Sequence, residues 1–179
     1  MRQIYVIRHC SAFGKAADAP LTPEGRRQAQ VLADFLVDSG IEMIVCSPYL
    51  RARQSIEPWA ERTGVPVRID ARLQERALSD VSMNDWLASL ERTFEDFDLT
   101  FPGGEPSRVA MRRAVAVVDE VLASGARCVG IVTHGNLMTL LLRHFDGRFG
   151  FAEWADLSNP DVFVVTVDGE AATVERVWV

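Results

Sequence analysis

Lysine is almost absent from this sequence: Lys15 stands alone among 19 cationic side chains, and all the others are arginine. Genome composition alone produces such a bias, and that is its default reading. Arg nevertheless supplies the planar donor fork that matches phosphate and carboxylate oxygens, which an ammonium cannot. Cysteine is scarce as well. Cys10, Cys46 and Cys128 are odd in number, scattered and without metal-type spacing, which excludes a disulfide framework and argues against a zinc site. Long apolar runs are missing. Ile4–Ile7 is too short for a secretion-signal core, and nothing approaches the roughly 20 residues of a membrane span, so a cytoplasmic protein without a membrane partner is expected. Surplus positive charge is also missing. A formal net charge of −6 disfavours a nucleic-acid partner.

What remains is an ordinary globular composition: 179 residues, 48% hydrophobic and 25% charged. A chain of this length buries about 70% of its unfolded surface, so one self-sufficient domain over residues 1–179 is expected. The run Gln3–Ile7 is β-rich and predicts a buried central strand. Thr22 and Pro23 fit the cap and first position of a helix whose face carries Ala29, Leu32, Ala33 and Leu36, with Gly40 as its stop. Met43–Cys46 predicts a second strand, Ser47-Pro48 the start of a helix reaching about Arg62, and Val65–Ile69 a third strand. Ala77–Phe101 is irregular, with a helix around Trp86, Leu87 and Leu90. Pro102-Gly103-Gly104 breaks the chain before a helix from about Pro106 to Leu122. Cys128–Thr133 is a buried strand and Asn136–Phe145 a helix. Phe163–Val167 and Thr173–Trp178 pair about the turn Asp168-Gly169. This alternation predicts an α/β fold, a three-layer α/β/α sandwich on a largely parallel central sheet.

In such sheets ligands gather at the carboxyl ends of the strands. The first strand ends in Arg8-His9, the second in Cys46-Ser47 leading to Arg51, and the buried one at Thr133 in His134-Gly135. A single histidine at a strand end is usually structural. Two His and two Arg at one edge are harder to explain that way. Arg8 and Arg51 fit a fork for phosphate oxygens. A neutral imidazole held by its other nitrogen can attack phosphorus, and a protonated second imidazole can stabilise the transferring group. Arg and His⁺ neutralise that group themselves, so the chemistry calls for no metal and no cofactor. The third histidine, His144, reads as a surface residue, and Trp59, Trp154 and Trp178 as packing.

Five ordered segments then resemble the histidine phosphatase superfamily, the phosphoglycerate mutase-like proteins. They are Ile7-Arg8-His9 with Leu21-Thr22-Pro23-Glu24-Gly25 behind it; Ser47-Pro48-Tyr49-Leu50-Arg51-Ala52; Leu73-Gln74-Glu75; Pro102-Gly103-Gly104-Glu105; and Val132-Thr133-His134-Gly135-Asn136. The resemblance implies that His9 is the phosphorylated nucleophile. It makes Arg8, Arg51, His134 and the backbone at Gly135 the phosphate pocket, and Glu75 the acid that protonates the leaving oxygen and then activates water. A raised carboxyl pKa from partial burial would serve that role; the bland alternative is a surface carboxylate paired with Arg72 or Arg76. Cys10 stands where the family usually has Gly, and Ser11 where it has an acidic or amide residue. Cys10, Ser11, Trp86 and Glu105 are the further candidates for substrate contact, and a thiol beside Arg8 would be oxidation-sensitive if its pKa were depressed.

The resulting expectation is a metal-independent phosphatase acting on a small phosphorylated substrate through a phosphohistidine at His9. A short, lid-like segment at about 76–108, acidic and poor in cations, favours hydrolysis over mutase chemistry. Glu75 favours an alkyl phosphomonoester over protein phosphohistidine. Those two activities are the alternatives, with a non-catalytic phosphate sensor as the alternative from another class and a homodimer as a further option for assembly.

Overall fold

The computed structural model describes residues 1–179. The chain runs β1 (Arg2–Arg8), α1 (Pro23–Leu36), β2 (Met43–Cys46), α2 (Leu50–Thr63), β3 (Val67–Ile69) and a 3-10 turn at Ala71–Leu73. It continues with α3 (Trp86–Glu95), α4 (Ser107–Ala123), β4 (Cys128–Thr133), α5 (Gly135–Phe145), α6 (Phe151–Ala155), β5 (Asp161–Asp168) and β6 (Ala171–Arg176). The six strands form one sheet in the order β3-β2-β4-β1-β5-β6. Pairings among β3, β2, β4 and β1 are parallel, and β5 runs antiparallel to both of its neighbours.

Strand alternation divides the core between the two faces. Ile4 and Val6 of β1, with Val129 and Ile131 of β4, pack beneath α4 and α5 through Ala114, Val117, Val118, Leu137 and Leu141. Ile7, Ile44, Cys46 and Val132 point the other way, against Leu32, Leu36, Ile56 and Trp59 of α1 and α2. The three layers are therefore helix, sheet and helix, as the alternating pattern required. Every residue of β4 is buried, which is what a strand with neighbours on both edges and helices on both faces should show.

Element boundaries moved where side chains took over backbone groups. Thr22 caps α1 as expected, its hydroxyl accepting from Gly25 N at 2.9 Å. The second helix starts at Leu50, not at Ser47-Pro48, because Ser47 Oγ accepts from Tyr49 N at 3.2 Å and holds that stretch as a turn. β3 is Val67–Ile69, two residues shorter than expected at its start, where Pro66 has no N–H to give to a ladder. α6 had no periodic signal; it is one short turn whose first backbone N–H, on Gly150, donates to Glu153 at 2.8 Å.

Parallel register is what builds the site. Arg8 of β1 lies beside Thr133 of β4, and Cys46 of β2 beside Val132. Past the strand ends the ladder runs on, with His9 N donating to Thr133 O at 3.1 Å and Ser47 N to Val132 O at 2.9 Å.

Candidate active site

That register brings His9 and His134 together, with ring centroids 5.1 Å apart. His9 Nδ1 lies 2.7 Å from the carbonyl oxygen of Cys10. A carbonyl only accepts, so Nδ1 carries the proton and Nε2 keeps its lone pair. Arg51 Nε donates to that lone pair at 3.2 Å. Burial, reinforced by the charges of Arg51 and Arg8 against the Cys10 hydrogen bond, pushes the His9 pKa down to about 3. At neutral pH this is an uncharged imidazole with its nucleophilic nitrogen turned to the cations. Asn159 secures the same residue from behind, Nδ2 donating to the His9 carbonyl at 2.9 Å.

The two arginines are fixed by backbone. Arg8 Nη1 donates to Leu157 O and Ser158 O at 3.3 and 3.2 Å, while its Nε is buried with no partner. Arg51 is buried and its Nη1 donates to Lys15 O and Ala16 O at 3.2 and 2.9 Å. Burial lowers both guanidinium pKa values, with the Glu75 charge opposing it; both remain cations at physiological pH. Gly135 has its own reason to be glycine: a Cβ there would lie 3.0 Å from Arg8 Nε and 3.1 Å from its Cζ and Nη2.

His134 enters differently from expectation. Burial, with His9 and the charges of Arg51, Arg113 and Arg8 adding to it, lowers its pKa well below the ordinary value, so the ring is neutral and not the anticipated cation. Ser47 Oγ lies 2.8 Å from His134 Nε2 and can donate its hydroxyl proton to that nitrogen while accepting from Tyr49 N. In that arrangement the ring proton is on Nδ1, which is buried and unpartnered. A buried orphan donor is suited to an anionic oxygen, although His134, like Gly135, lies behind the residues that line the cavity itself. The Tyr49 ring packs edge-on to His134 at 5.0 Å and beneath the Arg51 guanidinium, also at 5.0 Å.

Glu75 lies at the same edge, and neither Arg72 nor Arg76 claims its carboxylate. Arg72 pairs with Asp70 and Glu120. The Glu75 carboxylate instead meets the N-terminus of α5, accepting from Asn136 N at 3.1 Å and Leu137 N at 2.9 Å, and from Arg76 N at 2.8 Å. The segment carrying it is held by Thr133 Oγ1 on Leu73 O and by Arg113 Nη1 on Gln74 O, both at 2.8 Å.

Two expected contacts are corrected. Cys10 is fully buried in the core shared with α1 and α2, because Ser55 Oγ accepts its backbone N–H at 2.8 Å and turns the side chain inward. Burial raises its thiol pKa to about 11, the reverse of an activated thiolate. Glu105 is drawn away by Arg113 in a 2.5 Å ion pair and does not line the cavity. Ser11 and Trp86 do line it. So do Tyr49, Asn136 and Asn159, which the sequence reading did not select, although Tyr49 and Asn136 lie inside motif segments; Asn159 had only an Asn-Pro turn signal. Arg8, His9, Arg51 and Glu75 stand at the floor of this cavity of about 830 Å³. No group of three or more His, Cys, Asp or Glu side chains is placed to hold a metal ion, and no helix is long and apolar enough to cross a membrane.

The fold is one that known proteins share. A mycobacterial glucosyl-3-phosphoglycerate phosphatase superposes with a TM-score of 0.78 at 25% identity, covering 98% of this chain and 97% of its own. A Bacillus stearothermophilus protein superposes with a TM-score of 0.81, also at 25% identity, over 99% and 96% of the two chains. By sequence, a Schizosaccharomyces pombe protein named a probable phosphatase is 26% identical over 97% of this chain and 86% of its own length. A Shigella dysenteriae protein named a probable phosphoglycerate mutase is 27% identical over 87% and 79%. Residues 4–179 match the profile of the histidine phosphatase superfamily, branch 1. The chain belongs to that superfamily and is an enzyme of its phosphomonoester hydrolase class.

Proposed function

We propose that the protein hydrolyses a small-molecule phosphomonoester in two steps through a phosphohistidine at His9, with no metal ion. The observation that carries this reading is the His9 tautomer, with Nδ1–H tied to the Cys10 carbonyl and the unprotonated Nε2 facing the Arg51 guanidinium. In the first step Nε2 attacks phosphorus while Arg8, Arg51 and the His134 Nδ1–H take the equatorial oxygens. The P–O ester bond breaks as the P–N bond forms, and the leaving oxygen takes its proton from Glu75. In the second step Glu75 removes a proton from water, the water oxygen attacks phosphorus, and the P–N bond breaks to release phosphate. Ser47 and Asn159 serve as positioning residues, the first for His134 and the second for the His9 backbone.

Residues 1–179 act in this reading as one catalytic domain, and the segment 76–108 supplies a wall of the pocket. Hydrolysis is favoured over phosphoryl retention because that segment brings in a single cation of its own among the residues lining the cavity, Arg76. The names of the relatives point both ways: the solved mycobacterial phosphatase acts on a small phosphorylated sugar acid, and the Shigella relative carries a mutase name.

Incubation with an aryl phosphate, quenched in alkali, tests the proposal. An acid-labile, alkali-stable phosphoryl group is expected on the peptide containing His9, and none on His9→Ala. Phosphate release without any such label would defeat the covalent route. Binding of phosphate without turnover would defeat the enzyme reading and leave a sensor.

A further inference from the structure

Beyond the phosphate cradle the cavity changes character. Its lining there carries Leu78, Val81, Met83, Trp86, Leu90 and Trp154, alongside Lys15 and Ser79. Trp86 stands edge-on to Trp154 with centroids 6.3 Å apart, and Trp154 stacks on Phe151 at 5.5 Å, so the two indoles form a braced corner. Glu75 is the only carboxylate lining the cavity, and it belongs to the floor. No second acid faces the outer space to grip sugar hydroxyls.

The cations of the outer space are occupied. The Lys15 ammonium lies over the Trp86 ring, 4.5 Å from its centroid. Arg76 is buried and ties the segment together, Nε donating to Glu105 O at 3.1 Å and Nη1 to Thr93 Oγ1 at 3.2 Å. A second anionic group on the substrate would have to compete with these contacts. The cavity of about 830 Å³ falls in the range that encloses a whole organic ligand, far more than a phosphoryl group needs. Apolar surface left facing water gains most from an apolar occupant.

We infer that the alcohol released by this enzyme is apolar and of aromatic size, and that the Trp86–Trp154 corner selects it. The inference rests on the hydrolase reading above and narrows it. Three esters with the same primary-alcohol leaving oxygen separate the variables: 3-phenylpropyl, 3-hydroxypropyl and 3-carboxypropyl phosphate. Because the leaving group is matched, differences in kcat/KM report the far end of the molecule. The phenyl ester is expected to exceed the hydroxyl ester at least tenfold, and the carboxyl ester to be the poorest.

Trp86→Ala and Trp154→Ala, each checked by thermal melting, are expected to collapse the phenyl-to-hydroxyl ratio toward one, chiefly through KM. Equal kcat/KM for the three esters, or a ratio unmoved by both substitutions, overturns the inference and leaves the hydrolase reading intact. A preference for the carboxyl ester overturns it in favour of a phosphorylated acid bound by Lys15 or Arg76. Turnover of none of them, with no phosphoryl group on His9, removes the hydrolase reading and this inference with it.

Discussion

A nucleophilic imidazole that stays neutral in acid must leave its mark on stability. In the folded chain His9 has a pKa of about 3, whereas an exposed histidine in the unfolded chain titrates near 6.5. The folded value is depressed, so the unfolded state binds the extra proton as pH falls from about 6.5 toward 3, and stability is lost through that window. Between pH 7 and pH 5 the unfolded imidazole gains about 2 kcal/mol from protonation that folded His9 does not share. The figure barely depends on the folded value, provided that value stays below about 4. Urea unfolding at both pH values, in buffers without phosphate, measures it. The wild type should lose about 2 kcal/mol more than His9→Gln on acidification. Asp70, Asp98, Glu120 and Asp146, whose pKa values are lowered by their arginine partners, also lose stability in acid, but they are common to both proteins and cancel. Equal losses in wild type and variant would mean that folded His9 is already protonated by pH 5, and the neutral-nucleophile argument would fail.

Gly135→Ala should reduce kcat/KM roughly ten- to a hundredfold, because its Cβ would press on the Arg8 guanidinium from 3.0 Å and displace it; steady-state kinetics showing no loss would mean that Arg8 does not hold the phosphate. Cys10→Gly should leave kcat unchanged, since the thiol faces the core, while chemical denaturation registers a loss of about 1–2 kcal/mol from missing packing and added chain entropy. A marked gain in activity would instead restore the expectation that residue 10 meets the substrate. Glu75→Gln should slow alkyl phosphates by a factor on the order of 10² or more and activated aryl phosphates much less. Equal slowing across leaving groups would show that the carboxyl only braces the α5 N-terminus.

Much of the architecture was readable because it depends on local pattern. Buried runs such as Met43–Cys46 and Cys128–Thr133, and caps such as Thr22-Pro23, specify their elements without help from distant residues. The placement of His9, Arg8 and His134 at one edge follows from the same logic, since parallel strands in an α/β sheet share the direction of their carboxyl ends. Even the antiparallel β5 could be located from its short turn at Asp168-Gly169, which permits only a hairpin partner in β6. Boundaries were less legible where a side chain replaced a backbone partner, as Ser47 does ahead of α2.

Side-chain direction was the part that sequence could not carry. Cys10 and Glu105 lie in segments that reach the site, yet Ser55 fixes the first residue's backbone and Arg113 captures the second's carboxylate. Ser55 is 45 positions from Cys10, and Arg113 lies on a different element from Glu105, so no spacing rule exposes either contact. The state of the histidines was hidden for the same reason. A protonated His134 was a sound expectation for a group meant to stabilise negative charge, but its pKa is lowered first by burial and then by His9 and the charges of Arg51, Arg113 and Arg8, a property of the assembled pocket. Asn159 makes the point most sharply. It reaches the His9 carbonyl from 150 positions away and so braces the peptide that leads to Cys10, whose carbonyl fixes the His9 tautomer. Chemistry at Nε2 thus rests on a backbone carbonyl that any residue at position 10 could supply, and on a side-chain amide outside every motif segment. What sequence offers is the candidate nucleophile, and what the fold adds is the proton's address.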